Sequence, residues 1–220
     1  MKKVFLHTLT IRIWHWINAL IVITLMVTGI QLRAPGIEEF TRSMAPWLWI
    51  PEYSVAVLIH KYIGYAMALS FLFWFVYIMA SGSFRTHYIL RPADLPILGK
   101  QAFYYIIGVF QGSDNPFTPT EKGKFNPLQK IAYGSVMLVI TPLIVVTGVL
   151  FSDIFLFRGV IDWLGGIRLL DALHVLASYL FLLNLIVHLY MCTMGHHIFD
   201  HIKAMILGFE EMPDESHSKH

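Results

Sequence analysis

The stretch Leu169–Met194, LLDALHVLASYLFLLNLIVHLYMCTM, carries a single charged residue, Asp171, and two histidines, His174 and His188, spaced fourteen residues apart. A helix crosses a hydrocarbon core of about 30 Å in roughly 20 apolar residues, so this stretch reads as a membrane span. Fourteen helical residues return to within about 40° of the starting direction and climb roughly 21 Å, which puts both imidazoles on one face at two depths.

Working outward, Ile11–Leu32, Tyr53–Ser81 and Leu128–Phe151 have the same length and character. A fifth apolar stretch, Leu95–Phe110, is interrupted by Gly99, Lys100 and Gln101. Its unbroken part is too short to cross, and it is expected as an amphipathic helix at the interface. The expected fold class is all-α, an integral membrane four-helix bundle forming one domain over residues 1–220. Composition agrees, with 56% hydrophobic and 14% charged residues against roughly 25% charged in soluble domains. A formal charge of +2 does not point to nucleic acid, and the lipid bilayer is the expected surrounding.

Four spans divide the basic residues unevenly. Lys2, Lys3, Arg12, Arg85, Arg91, Lys100, Lys122, Lys124, Lys130, Lys203 and Lys219 fall on one side, and Arg33, Arg42, Lys61, Arg158 and Arg168 on the other. The excess places both termini in the cytoplasm of a bacterial inner membrane, with Trp47, Trp49 and Trp163 in the outer aromatic belt. The apolar stretch after Lys2 and Lys3 is too long for a signal peptide and lacks a small-residue cleavage site, so it is kept as the first span.

The single cysteine, Cys192, excludes an intrachain disulfide framework and an iron–sulfur cluster held by this chain alone. No Cys-x-x-Cys-His motif is present. A haem here must be held by axial side chains and packing, which is the b-type arrangement. Ionisable residues inside spans are costly and mark function, and four of the eleven histidines fall within helices: His15, His60, His174 and His188. Pairing by depth joins His60 with His174 towards the outside and His15 with His188 towards the inside, giving two bis-histidine haems stacked across the membrane. Gly134 and Gly148 repeat the fourteen-residue interval in the third span, and Gly29 stands fourteen beyond His15. A flat porphyrin needs small neighbours, so Gly134 is expected at the edge of the inner haem and Gly29 and Gly148 at the edge of the outer.

At these residues the chain resembles the di-haem cytochrome b (gamma) subunit family of formate dehydrogenase-N, thiosulfate reductase and nickel–iron hydrogenase. The resemblance covers nearly the whole length. It rests on Arg12-x-x-His15-Trp16 with Gly29, His60-x-x-x-Gly64, Gly123-Lys124-Phe125-Asn126-x-x-Gln129-Lys130, Thr147-Gly148-Val149, and His174 with His188-x-Tyr190-Met191. It implies a four-helix bundle with two b haems and a menaquinone or ubiquinone site beside the inner one, around Asn126. Pro127 and Leu128 depart from the Ala-Gly of formate dehydrogenase itself. Asn126, Gln129 and Lys130 offer hydrogen-bond donors where the third span meets the cytoplasm, and Asn126 is equally suited to cap that helix.

The implied function is electron transfer between a periplasmic oxidoreductase partner and the membrane quinone pool. An iron–sulfur or other electron-transfer subunit, with its catalytic subunit, is expected against the outer loops. A stand-alone transmembrane reductase and a haemless anchor or transporter are the alternatives. His196, His197 and His201 read as solvated histidines at the membrane surface rather than a metal site.

Overall fold

Without water in a hydrocarbon core, backbone N–H and C=O groups must pair within their own segment, which leaves helices as the form open to these apolar stretches. The computed structural model describes residues 2–33, 43, 50–113, 115–117, 125–193 and 199–212. It places four helices of spanning length at Leu9–Arg33, Tyr53–Ala80, Pro127–Ser152 and Ile167–Cys192, within two residues of the expected ends. Trp47, Trp49, Arg42, Lys122, Gly123, Lys124, His196, His197 and the tail from residue 213 lie outside the described residues.

In chain order the elements are β1 (Lys2–Phe5), α1 (Leu9–Arg33), α2 (Tyr53–Ala80), α3 (Ser83–His87), α4 (Leu95–Ile106), α5 (Pro127–Ser135), a π turn (Val136–Ile140), α6 (Thr141–Ser152), α7 (Arg158–Trp163), α8 (Ile167–Cys192), α9 (Asp200–Leu207) and β2 (Phe209–Met212). Short 3₁₀ turns at Pro92–Asp94 and Gly108–Gln111 flank α4. At twelve residues α4 is too short to span. The π turn has a local cause. Pro142 lacks an N–H, and its ring opposes the carbonyl four residues back, so the α-helical ladder is interrupted just before it. The α periodicity on which the Gly134–Gly148 interval relied is therefore broken between those glycines.

The spans turn their apolar side chains outward. Leu20 and Leu69 are each 69% exposed, while Thr28, Gln31 and Thr147 are buried. Such an inverted pattern suits lipid as solvent, where small and polar residues do the packing between helices.

The chain forms two compact units, to both of which each long helix contributes. The first comprises Met1–Arg12, Phe75–Val139 and Asn184–His220. In it β1 pairs antiparallel with β2, from Lys2 opposite Met212 to Phe5 opposite Phe209. This pairing brings residues 2–5 and 209–212 together. The Arg12 guanidinium donates to the Ile206 carbonyl near the end of α9.

The second unit comprises Ile13–Trp74 and Ile140–Leu183. Asn18 Nδ2 donates to Ser70 Oγ at 2.7 Å, and Trp14 Nε1 to the Ser70 carbonyl at 3.1 Å, tying α1 to α2. Between α6 and α8 the chain turns through Asp153, whose Oδ1 accepts from the N–H groups of Phe155 and Leu156. Ile161 of α7 then packs onto Leu150 and Leu170. Gly165 and Gly166, at φ +108° and +89°, make the left-handed entry into α8.

Candidate haem site and polar cluster

In the second unit His60 of α2 and His174 of α8 face each other, with ring centroids 6.4 Å apart and planes at 77°. Each has one nitrogen committed in the same way. His60 Nδ1 lies 2.8 Å from Thr28 Oγ1, and His174 Nδ1 lies 2.8 Å from Thr147 Oγ1. The Thr28 hydroxyl reaches the Thr24 carbonyl at 2.8 Å and the Thr147 hydroxyl the Leu143 carbonyl at 2.6 Å. A hydroxyl has one proton, and a carbonyl can only accept. Each threonine thus donates to its own helix and accepts from the imidazole, which assigns the proton of both rings to Nδ1. Nε2 is left with a lone pair, the form in which a neutral histidine binds a metal.

The residues fit a haem iron. Metal–imidazole bonds of about 2 Å put the centroids of two rings on opposite sides of one metal roughly 6 Å apart, close to the spacing found. A Cβ on Gly29 would stand 3.3 Å from His60 Cε1, and one on Gly148 would stand 3.4 Å from His174 Cε1. The room these glycines leave is thus taken by the imidazoles. Gly64, one turn along α2 from His60, has open space where a Cβ would be, as a flat macrocycle beside the ring needs. Phe151 packs edge-on against His174 at 5.7 Å. Lys61 Nζ donates to the Ser152 carbonyl at 2.8 Å, closing the end of α6, and Arg33 pairs with Asp171 at 3.2 Å near the start of α8.

His15 lies on α1 in the second unit and His188 on α8 in the first. The His15 ring meets Trp16 edge-on, and Cys192 Sγ lies 3.7 Å from His188 Nε2. Their pairing rests on the sequence intervals. Gly134 differs from Gly29 and Gly148, because a Cβ there would meet only the Tyr88 carbonyl, at an ordinary 3.9 Å.

The first unit holds a second constellation at the start of α5. Asn126 caps that helix: its Oδ1 accepts from Gln129 N–H at 2.9 Å, while Gln129 Oε1 accepts from Asn126 N–H at 3.0 Å. Pro127 occupies the first helical position, where a missing N–H costs nothing. Asn126 Nδ2 donates to Tyr105 Oη at 2.9 Å. Burial raises the Tyr105 phenol above its ordinary pKa, partly offset by hydrogen bonds from Asn126 and Gln101, so the hydroxyl keeps its proton at neutral pH. Gln101 is fully buried and donates to Asn115 Oδ1 at 3.1 Å. The Phe125 and Tyr133 rings lie nearby, tilted at 60° with centroids 4.8 Å apart.

Lys130 donates to Asp94 Oδ2 at 2.7 Å in a largely buried pair. Burial pushes Asp94 upward, but the hydrogen bonds from Lys130 and from the Arg91 N–H, with the two cationic charges, hold it below the usual carboxylate range. A depressed carboxylate stabilises the fold above its unfolded pKa of about 3.9, and that contribution disappears as pH falls through the folded value. Asp94→Asn strands the Lys130 ammonium and is expected to cost on the order of 2 kcal/mol at pH 7. Thermal unfolding of wild type and variant in detergent should converge below about pH 3, and a gap independent of pH would reject the ion pair as its cause.

Of the residues singled out from the sequence, His60, His174, Gly29 and Gly148 come together in one place, and Asn126 and Gln129 form a reciprocal cap. Lys130 is engaged with Asp94. Thr28, Tyr105, Gln101 and Asp94 were not singled out as site residues. One signal pointed to the threonines, since Val27-Thr28-Gly29 recurs as Val146-Thr147-Gly148.

Comparison with known proteins gives the family. Residues 6–208 match the family described as prokaryotic cytochrome b561. YdhU of Escherichia coli (strain K12), described as a candidate cytochrome, is 32% identical over 215 residues, covering 94% of this chain and 75% of that protein. The chain therefore belongs to the prokaryotic cytochrome b561 family of multi-pass bacterial membrane proteins, whose work is haem-b electron transfer.

Proposed function

We propose that this protein is a di-haem cytochrome b subunit carrying electrons between a periplasmic oxidoreductase partner and the quinone pool of the inner membrane. The observation that carries the reading is the His60–His174 pair, 6.4 Å apart, with both Nδ1 atoms occupied by threonine hydroxyls. Haem b, when bound, supplies one-electron carriage by its iron. His60 and His174 would hold the outer haem. His15 and His188, paired by their depth along the spans, would hold the inner one. Gly29 and Gly148 let the ligand rings seat against the helices, and the apolar spans keep water from the path. The basic excess favours cytoplasmic termini, which leaves the Arg33–Asp171 pair and α7 on the side where an electron-transfer subunit docks.

The quinone, menaquinone or ubiquinone, is placed at the start of α5 beside the inner haem. A quinone needs a hydrogen-bond donor at its ring carbonyl, and its interconversion with the quinol moves two electrons and two protons, so the site also needs a route to water for those protons. Both ends of the Asn126 amide are engaged by the protein, so its part is to orient Tyr105, whose hydroxyl accepts from Asn126 and keeps its own proton to donate. Gln129 supports the cap, and Lys130 with Asp94 supplies charged groups at the aqueous boundary.

The test is reduction of the haems by a quinol analogue in purified protein, with visible spectra reporting haem content. Tyr105→Phe and Asn126→Asp should each slow reduction at least about tenfold while two haems remain bound. Wild-type rates in both variants would move the quinone site elsewhere, and an absence of haem from the purified protein would overturn the whole reading.

A further inference from the structure

We propose that Thr28 and Thr147 are positioning residues that set the mutual orientation and the electron donation of the two outer haem ligands; this rests on the assignment of His60 and His174 as those ligands. The two threonines are 1% and 2% exposed and sit in matching environments on different helices, α1 and α6. Each hydroxyl is anchored to a carbonyl of its own helix, by 2.8 Å at Thr24 and 2.6 Å at Leu143, so its remaining acceptor direction is fixed by the backbone.

Each imidazole is thereby held at two points. Nδ1 bonds the threonine, and Cε1 lies against the glycine that follows it, Gly29 or Gly148. Two-point contact stops rotation of the ring about its own side-chain bond. Because α1 holds one ring and α6 the other, the 77° between the planes is a property of the helices and not of the histidines. A repeated Val-Thr-Gly, at residues 27–29 and 146–148, serves once for each ligand.

Two consequences follow from ligand chemistry. A hydrogen bond from the outer nitrogen raises imidazole basicity and favours the ferric state, and outer-shell partners of this kind are worth about 10- to 100-fold in affinity for the metal. Near-perpendicular imidazole planes also give low-spin ferric iron a strongly anisotropic electron paramagnetic resonance signal.

The experiment compares Thr28→Val and Thr147→Val with the serine variants in the purified cytochrome. Valine keeps the shape and removes the acceptor, whereas serine keeps the hydroxyl. The valine variants should raise the outer haem's midpoint potential, loosen that haem about 10- to 100-fold and reduce the anisotropy of its signal, with serine restoring all three. If valine ejects the haem, its return in the serine variant supports the proposal equally. A potential and signal equal to wild type in both valine variants would overturn it, as would haem loss that serine does not repair. These outcomes are separable from failure of the underlying reading, which would show as two haems retained when His60 or His174 is removed.

Discussion

Alanine in place of His60, or of His174, is expected to cut the haem b content by about half, with the helical bundle retained. On the proposed assignment both histidines would be needed to hold one haem, and the companion ring 6.4 Å away could not replace the one removed. A second haem held by other residues would stay bound. The pyridine haemochrome assay per chain gives the count, and circular dichroism shows whether the helices survive. Haem content unchanged in both variants would remove the ligand assignment. Loss of both haems from a folded bundle would instead mean that the ligands are not paired by depth.

Nearly as large an effect is expected at Gly29 and Gly148. A Cβ at these positions already stands 3.3 and 3.4 Å from the ligand rings, so alanine needs the ring to give way by a few tenths of an ångström. Leucine adds three more carbons in the same direction and would displace the imidazole from its present position. Gly29→Leu and Gly148→Leu should therefore lose the outer haem, while the alanine variants keep it with a shifted potential. Gly134→Ala is the control, since its Cβ would make only ordinary contact with the Tyr88 carbonyl. Full occupancy and an unshifted potential in both leucine variants would mean that the rings do not sit where the structure has them.

The fourteen-residue interval assigned Gly134 to the level of the inner haem and Gly29 and Gly148 to that of the outer. The helical register behind that interval runs unbroken along α1, which is α-helical from end to end, and shifts along the third span, where a π turn precedes Pro142. The outcome at Gly29 and Gly148 also differs in kind from the expectation, because the neighbour in their space is an imidazole. Asn126 was open to two roles, and the capping role is the one its hydrogen bonds display. Lys130 looked like a free donor only because Asp94, thirty-six residues earlier, is brought to it by the packing of α4 against α5.

Hydropathy and helical pitch suffice for four spans of the right length and a fifth apolar stretch too short to cross, and the cysteine count suffices for the b-type character of any haem. These follow from local rules, since hydropathy and helical pitch need no knowledge of neighbours. Tertiary structure alone decided which nitrogen of His60 and His174 is left for a metal, which side chain fills the space at each glycine, and that Asn126 is spent on a cap and on Tyr105. Those are questions of which polar group meets which across separate helices. In a low-dielectric interior each such group must find a partner, and the partner's identity is set by packing between segments far apart in the chain, which no local pattern encodes.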